Sequence, residues 1–217
     1  MGVIPREKEG GSAVPMREVL LETVQRLTLV AEYKDDDARL HGKRISLYTD
    51  LIAGELGIPP READIMSFAG PMHDIGKVGI PDSILLKRGL LTPREFEIMK
   101  VHTTIGGRIL RGSENPYLRS AEKFALFHHE RWDGTGYPHE IGGEEIPIEG
   151  RILYLIDLYD ALRCRRPYKP PLPHETAVSI ITEGDYRTSP SHFDPTILGI
   201  FRAREDRFRN IFDLHRE

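Results

Sequence analysis

Five of the nine histidines, His41, His73, His102, His128 and His129, fall in segments of helical pattern or at their ends. Two are followed directly by an acid, in His73-Asp74 and His129-Glu130. Imidazoles in apolar helical stretches lose hydration and need partners, and a metal ion satisfies several at once. One such ring alone reads as a core histidine bonded to a backbone carbonyl; five of them, with Asp74 and Asp157, favour a metal centre. Asp157 is the sharpest clue. It interrupts an apolar run from Ile152 to Ile156 and shares a helix face with Leu153, where an unpaired carboxylate is costly. Nitrogen and carboxylate donors without a thiolate suit iron, manganese or zinc and suit calcium poorly.

A carboxylate such as Asp74 can be shared by two ions. Two ions about 3.5 to 4 Å apart activate a water and stabilise both the attacking and the leaving oxygen of a phosphoester displacement. Phosphoester hydrolysis is therefore the leading reaction class. Lys77, three residues after Asp74, is spaced to neutralise a phosphate or protonate the leaving oxygen, although a lysine closing a helix through its dipole preference fits equally well. Arg166 and Lys169 flank Pro167 as a phosphate clamp would, a pattern that solvated loops share. In Gly136-Tyr137-Pro138 the glycine permits a turn, the proline stiffens it and the ring is presented on a loop; an aromatic plug over the core is the alternative.

Taken in order, His73-Asp74-Ile75-Gly76-Lys77, His102, His128-His129-Glu130-Arg131-Trp132-Asp133-Gly134, Gly136-Tyr137-Pro138, Asp157, Arg166-Pro167-Tyr168-Lys169 and Ser191-His192-Phe193-Asp194-Pro195 resemble the HD-GYP family, a branch of the HD phosphohydrolases. The resemblance runs from about Tyr33 to Phe201. It implies an all-α HD-superfamily helical bundle with a Gly-Tyr-Pro loop and little or no sheet, hydrolysing cyclic di-GMP to pGpG and, in many members, to GMP. It implies two divalent ions, iron or manganese: His73, Asp74 and Asp157 on one, Asp74, His102, His128 and His129 on the other. His41 matches the family's upstream histidine. Asp37 stands where a trinuclear type carries glutamate, so a third ion stays open. The resemblance gives Asp74 and Lys77 the catalytic positions, and Lys77, Tyr137, Arg166 and Lys169 the substrate-binding ones. Arg163-Cys164-Arg165 departs from the usual Thr-Ser-Asp, adds positive charge near the clamp, and motivates another cyclic dinucleotide such as cyclic GMP-AMP as an alternative. A non-catalytic sensor of cyclic di-GMP, or a module docking a signalling partner through the Gly-Tyr-Pro loop, is the alternative from a different class.

Helices must position these groups. Met16, Leu20, Val24, Leu27 and Ala31 recur at helical spacing and predict a connector helix over 16–33, a candidate dimer-forming element, after a flexible leader at 1–15. The catalytic domain is then 34–217. A second stripe, His41, Ile45, Tyr48, Ile52 and Leu56, stops before Gly57, Pro59 and Pro60. Arg61 to about Ile75 is helical with an irregularity at Pro71, and Gly76 to Lys87 reads as loop. Thr92-Pro93-Arg94-Glu95 is a capping box that opens a helix running past His102. Further helices are predicted over Tyr117 to about Glu130, Arg151 to Leu162 and Pro173 to about Thr182, with Asp194-Pro195 opening the last. The 217 residues suffice for a sizeable core. Cys164 is the single cysteine, which excludes an internal disulfide and fits a cytoplasmic protein. A net charge of -4 without a basic stripe argues against DNA, and no apolar run approaches the roughly 20 residues of a membrane span.

Overall fold

A computed structural model of the chain describes Glu22, Arg26, residues 40–165 and residues 170–216. The leader, Asp37, Arg166 and Lys169 lie outside the described residues. So does the predicted 16–33 helix apart from Glu22 and Arg26, which are helical and paired at 3.0 Å. Among the described residues the secondary structure is helical without strands, as expected.

The histidine-bearing stripe forms the buried face of α1 (His41–Glu55). After Pro59 the chain re-enters α2 (Pro60–Ala69), and the irregularity expected at Pro71 is a change of helix type: Gly70–Gly79 tightens into 3-10 turns. Proline has no N–H to give to the Ser67 carbonyl, which instead accepts the Ser46 hydroxyl at 2.6 Å. The loop predicted over Gly76 to Lys87 needs correction. The 3-10 turns continue to Gly79, and a short helix, α3 (Asp82–Leu85), follows Pro81. Such turns close on bonds only three residues apart and leave no long apolar period to read.

The Thr92 capping box opens α4 (Pro93–Leu110): Thr92 Oγ1 accepts the Glu95 N–H at 3.3 Å, and Glu95 Oε2 accepts the Thr92 N–H at 2.7 Å. Next, α5 (Pro116–Phe127) ends before Glu130, so that His128 caps it and His129 leaves its axis. The remaining helices are α6 (Ile148–Arg163), α7 (His174–Glu183) and α8 (Pro195–Leu214). Asp194 caps α8 as expected, accepting the Thr196 N–H at 2.8 Å.

Aromatic packing locks α1, α6 and α8 together. Tyr48 stacks on Phe208 at 5.0 Å, and Tyr159 meets Tyr48, Phe201 and Phe208 edge-on, all fully buried. Each such ring withdraws enough apolar surface for about 1.5 to 3 kcal/mol. On the other side, the 3-10 segment lies directly on α4. A Cβ built on Gly76 would fall 1.9 Å from the His102 carbonyl oxygen, so only glycine lets Asp74 approach the histidines of α4 and α5. No helix among the described residues is long and apolar enough to cross a membrane.

Candidate metal centre

Four imidazoles are anchored from behind through Nδ1. His73 Nδ1 donates to the Gly70 carbonyl at 2.9 Å, His102 Nδ1 to Met99 at 2.7 Å, and His128 Nδ1 to Phe124 at 2.9 Å. His41 Nδ1 faces a carboxylate oxygen of Asp160 at 2.8 Å. Carbonyls only accept, so these Nδ1 atoms carry the proton, and the Nε2 of each neutral ring presents a lone pair. The Nε2 atoms of His102 and His128 face each other at 3.2 Å, which leaves two acceptors opposed. His73 Nε2 and Asp74 Oδ1 are likewise buried without a hydrogen-bond partner. This donor set fits a divalent cation: several converging lone pairs, a carboxylate among them, and no proton between the closest two.

Asp74 divides its oxygens between the two sides of the cluster. Oδ2 lies 3.2 Å from His73 Nε2 and 2.8 Å from Lys77 Nζ; Oδ1 lies 3.3 Å from His102 Nε2 and 3.6 Å from His128 Nε2. On the far side of His73, His41 Nε2 stands 3.7 Å from Asp157 Oδ1. Three groups result that could hold an ion: His41 with His73 and Asp157, His73 with Asp74 and His128, and His102 with His128 and His129. Every described residue expected as a metal ligand is thus in one cluster, with His41 on the Asp157 side.

Charge follows the same division. Burial alone would push the Asp74 carboxyl up, yet Lys77 and His73 outweigh it and hold Asp74 well below the usual carboxylate range. Burial likewise opposes a charged His73, but Asp74 and Asp157 overcome it and raise its proton affinity, so the carboxylates call for positive charge at this point. His102 is pushed down to about 4 by burial, and His129 lies well below its ordinary value through burial and its neighbours His128 and His102. Both stay neutral and able to ligate at ordinary pH.

The Gly-Tyr-Pro loop closes one wall. A Cβ on Gly136 would lie 2.3 Å from the Arg131 nitrogen, so glycine is needed here for close approach of backbone to backbone. Tyr137 stacks on His129 at 4.6 Å, against the cluster rather than over the apolar core. Burial raises the affinity of its hydroxyl for the proton, and Asp74 and Asp157 reinforce this. The loop is braced by the segment before α8: the Trp132 N–H donates to the His192 carbonyl at 2.9 Å, and the Ser191 hydroxyl to Asp133 at 2.9 Å. Glu130, buried beside the loop, accepts the His139 N–H at 2.7 Å.

Two participants escaped the sequence reasoning. Asp160 is fully buried and, besides facing His41, accepts from Arg44 Nε at 2.6 Å and Nη2 at 2.8 Å. Burial works against its ionisation, but the bonds from Arg44 and His41 prevail and hold it at about 2. Its position three residues after Asp157, one turn along the same side of α6, was the available signal. The extra charge expected from Arg163 near the phosphate clamp is also corrected. Arg163 is buried against Phe212, donates to the Tyr159 hydroxyl at 3.0 Å and pairs with Asp213 at 3.1 Å. Cys164 is half-buried and contacts Arg44 Nη2 at 3.0 Å, while Arg165 is exposed.

Residues 19–197 match the HD domain family. The chain belongs to that family. Its likeness to the HD-GYP branch, read from the ordered motifs, agrees with its relatives. It is 43% identical over 195 residues to a cyclic di-GMP phosphodiesterase of Thermotoga maritima, covering 90% of this chain and 52% of the relative. To a cyclic di-GMP phosphodiesterase of Vibrio cholerae it is 42% identical, covering 84% of this chain and 39% of the relative. Among solved structures, a cyclic GMP-AMP specific phosphodiesterase of V. cholerae superposes with a TM-score of 0.53 at 27% identity, covering 94% of this chain and 44% of that one. This HD-domain chain therefore spans about half or less of the length of these relatives.

Proposed function

We propose that this chain is the catalytic domain of a metal-dependent phosphodiesterase that hydrolyses cyclic di-GMP to pGpG, with the extent of further cleavage to GMP decided by product analysis. The observation that carries the reading is the opposed pair His102 Nε2 and His128 Nε2, 3.2 Å apart with both Nδ1 protons already committed to carbonyls. His73, Asp74 and Asp157, joined by His41, would hold one ion, and Asp74, His102, His128 and His129 would hold the other. Iron or manganese fits this nitrogen and oxygen set, and the family resemblance favours them over zinc. When bound, the ions polarise the phosphoryl group and supply a nucleophile at neutral pH.

The chain's own groups do the rest. Lys77 Nζ, 2.8 Å from Asp74 Oδ2, brings protons to the edge of the cluster, where it neutralises the phosphate and delivers a proton to the departing ribose oxygen. Tyr137, stacked on His129, supplies a wall against which the substrate is oriented. Burial of His73, His102 and His128 keeps bulk water away and strengthens each electrostatic contact. A second reading changes only the substrate, to cyclic GMP-AMP; the likeness to the V. cholerae structure supports it.

The test is anaerobic turnover by protein reconstituted separately with Fe(II) and Mn(II), with bound metal counted and products separated by chromatography. Metal-dependent formation of pGpG or GMP is expected. Tight nucleotide binding without product, from fully loaded protein, would overturn the catalytic reading in favour of a sensor.

A further inference from the structure

An aromatic row runs from the ligand cluster toward the surface. Tyr137, stacked on His129, meets the Phe96 ring edge-on at 6.1 Å and an interplanar angle of 83°. Phe96 lies in the first turn of α4 and is 45% exposed. One turn further along, Lys100 places its ammonium 5.7 Å from the centres of both the Phe96 and the Tyr137 rings, steadied by Glu97 at 2.8 Å. Two rings and an ammonium therefore meet at one corner, a single ring away from a histidine of the cluster.

We propose that Phe96 and Lys100 form a base-reading corner for the substrate: the Phe96 ring stacks on a purine, and the Lys100 ammonium contacts the O6 and N7 edge when that purine is guanine. The inference deepens the function proposed above and rests on it. Every base has a π face, so stacking on Phe96 is tolerant of base identity. Lys100 is not tolerant. Guanine offers two acceptors at O6 and N7, whereas adenine sets an amino donor beside its N7, and an ammonium has only donors to give. A cation fixed against two rings thus favours cyclic di-GMP, which must place guanine at the corner, over cyclic di-AMP, which must place adenine there, while Phe96 serves both.

The test compares wild type with F96A, F96W and K100M, each checked for metal content and thermal unfolding, in steady-state hydrolysis of cyclic di-GMP and of cyclic di-AMP. Binding of both dinucleotides to metal-free protein gives a second readout. F96A should raise KM for both substrates about 10-fold with kcat within about twofold, and F96W should restore it, as expected for a lost base stack. K100M should narrow the preference for cyclic di-GMP by about 10-fold, the scale of one lost edge contact. An F96A protein with wild-type KM and wild-type binding overturns the corner, as does a K100M effect equal for both dinucleotides. Wild type that turns over neither dinucleotide overturns the underlying function and the corner with it, so the two failures are told apart by the wild-type result.

Discussion

Asp160 and His41, 119 residues apart in sequence, meet through a 2.8 Å contact between carboxylate and Nδ1. The other anchored rings lean on neutral carbonyls, whereas His41 leans on a charge that is itself held by Arg44. A carboxylate behind a ligating imidazole fixes its tautomer and raises its basicity. The D160N variant should therefore bind Mn(II) about 10- to 100-fold more weakly, read by electron paramagnetic resonance titration. It should also lose about 3 kcal/mol in urea unfolding because Arg44 is left buried beside a neutral partner. Unchanged affinity in a folded D160N protein would show that the contact does not tune the ligand.

Lys77 is close enough to Asp74 to be either a structural neighbour or the proton donor. K77M distinguishes these roles. If it acts on the departing oxygen, kcat should fall about 100- to 1,000-fold while metal content, measured by mass spectrometry, stays near wild type. A fall in metal content that matches the fall in kcat would assign it to the support of Asp74 alone.

Acid should weaken the metal-free protein in two steps. His102 is held at about 4 in the folded chain against 6.5 as its ordinary value, so the unfolded chain takes up the proton first and stability is lost as pH falls from about 6.5 toward 4. That one ring accounts for on the order of 3 kcal/mol, and His129, also depressed, adds in the same direction. His73 works oppositely: its raised affinity stabilises the fold most below 6.5 and is lost as pH rises through its folded value. Asp160, held at about 2 against 3.8, contributes stability that is complete above 3.8 and lost toward pH 2. Urea midpoints measured in EDTA from pH 8 to pH 3 should show the first loss, and H102Q, which has no proton to gain, should flatten it.

Gly76 is required by contact. A methyl group there must push the 3-10 segment off α4, and G76A should cost about 3 kcal/mol by urea unfolding, at the high end of overpacking penalties. Displacing the segment also separates Asp74 from His102, so metal content should fall together with stability. Wild-type metal content in a destabilised G76A protein would mean that the two elements tolerate a shift.

Local chemistry made much of this legible in the sequence. The Thr92 box and the Asp194-Pro195 start act through side chains within four residues of the helix end, and both appear as read. The histidines declared themselves because unpartnered imidazoles do not belong on apolar helical faces. Asp160 stayed hidden because its partners, His41 and Arg44, come from a helix more than a hundred residues earlier, and only tertiary packing brings them across. Arg163 misled for the same reason: a charge counted along the chain says nothing of the side of α6 on which it lies, and Asp213 had already neutralised it. The turns after Pro71 were illegible because short 3-10 segments have no amphipathic period.

The bracing of the Gly-Tyr-Pro loop by residues 190–194 bears on how the chain meets a protease. Irregular surface segments of this kind are ordinarily the first to be nicked, because they open at little energetic cost. Here Trp132 is tied to His192, Asp133 to Ser191, and Arg151 to Asp194, so opening the loop requires releasing the start of α8 as well. The Trp132 amide should exchange slowly with solvent, and cleavage there should await loosening of the last helix. The wall that carries Tyr137 is therefore already ordered before a ligand arrives, and binding sacrifices little chain entropy to form it.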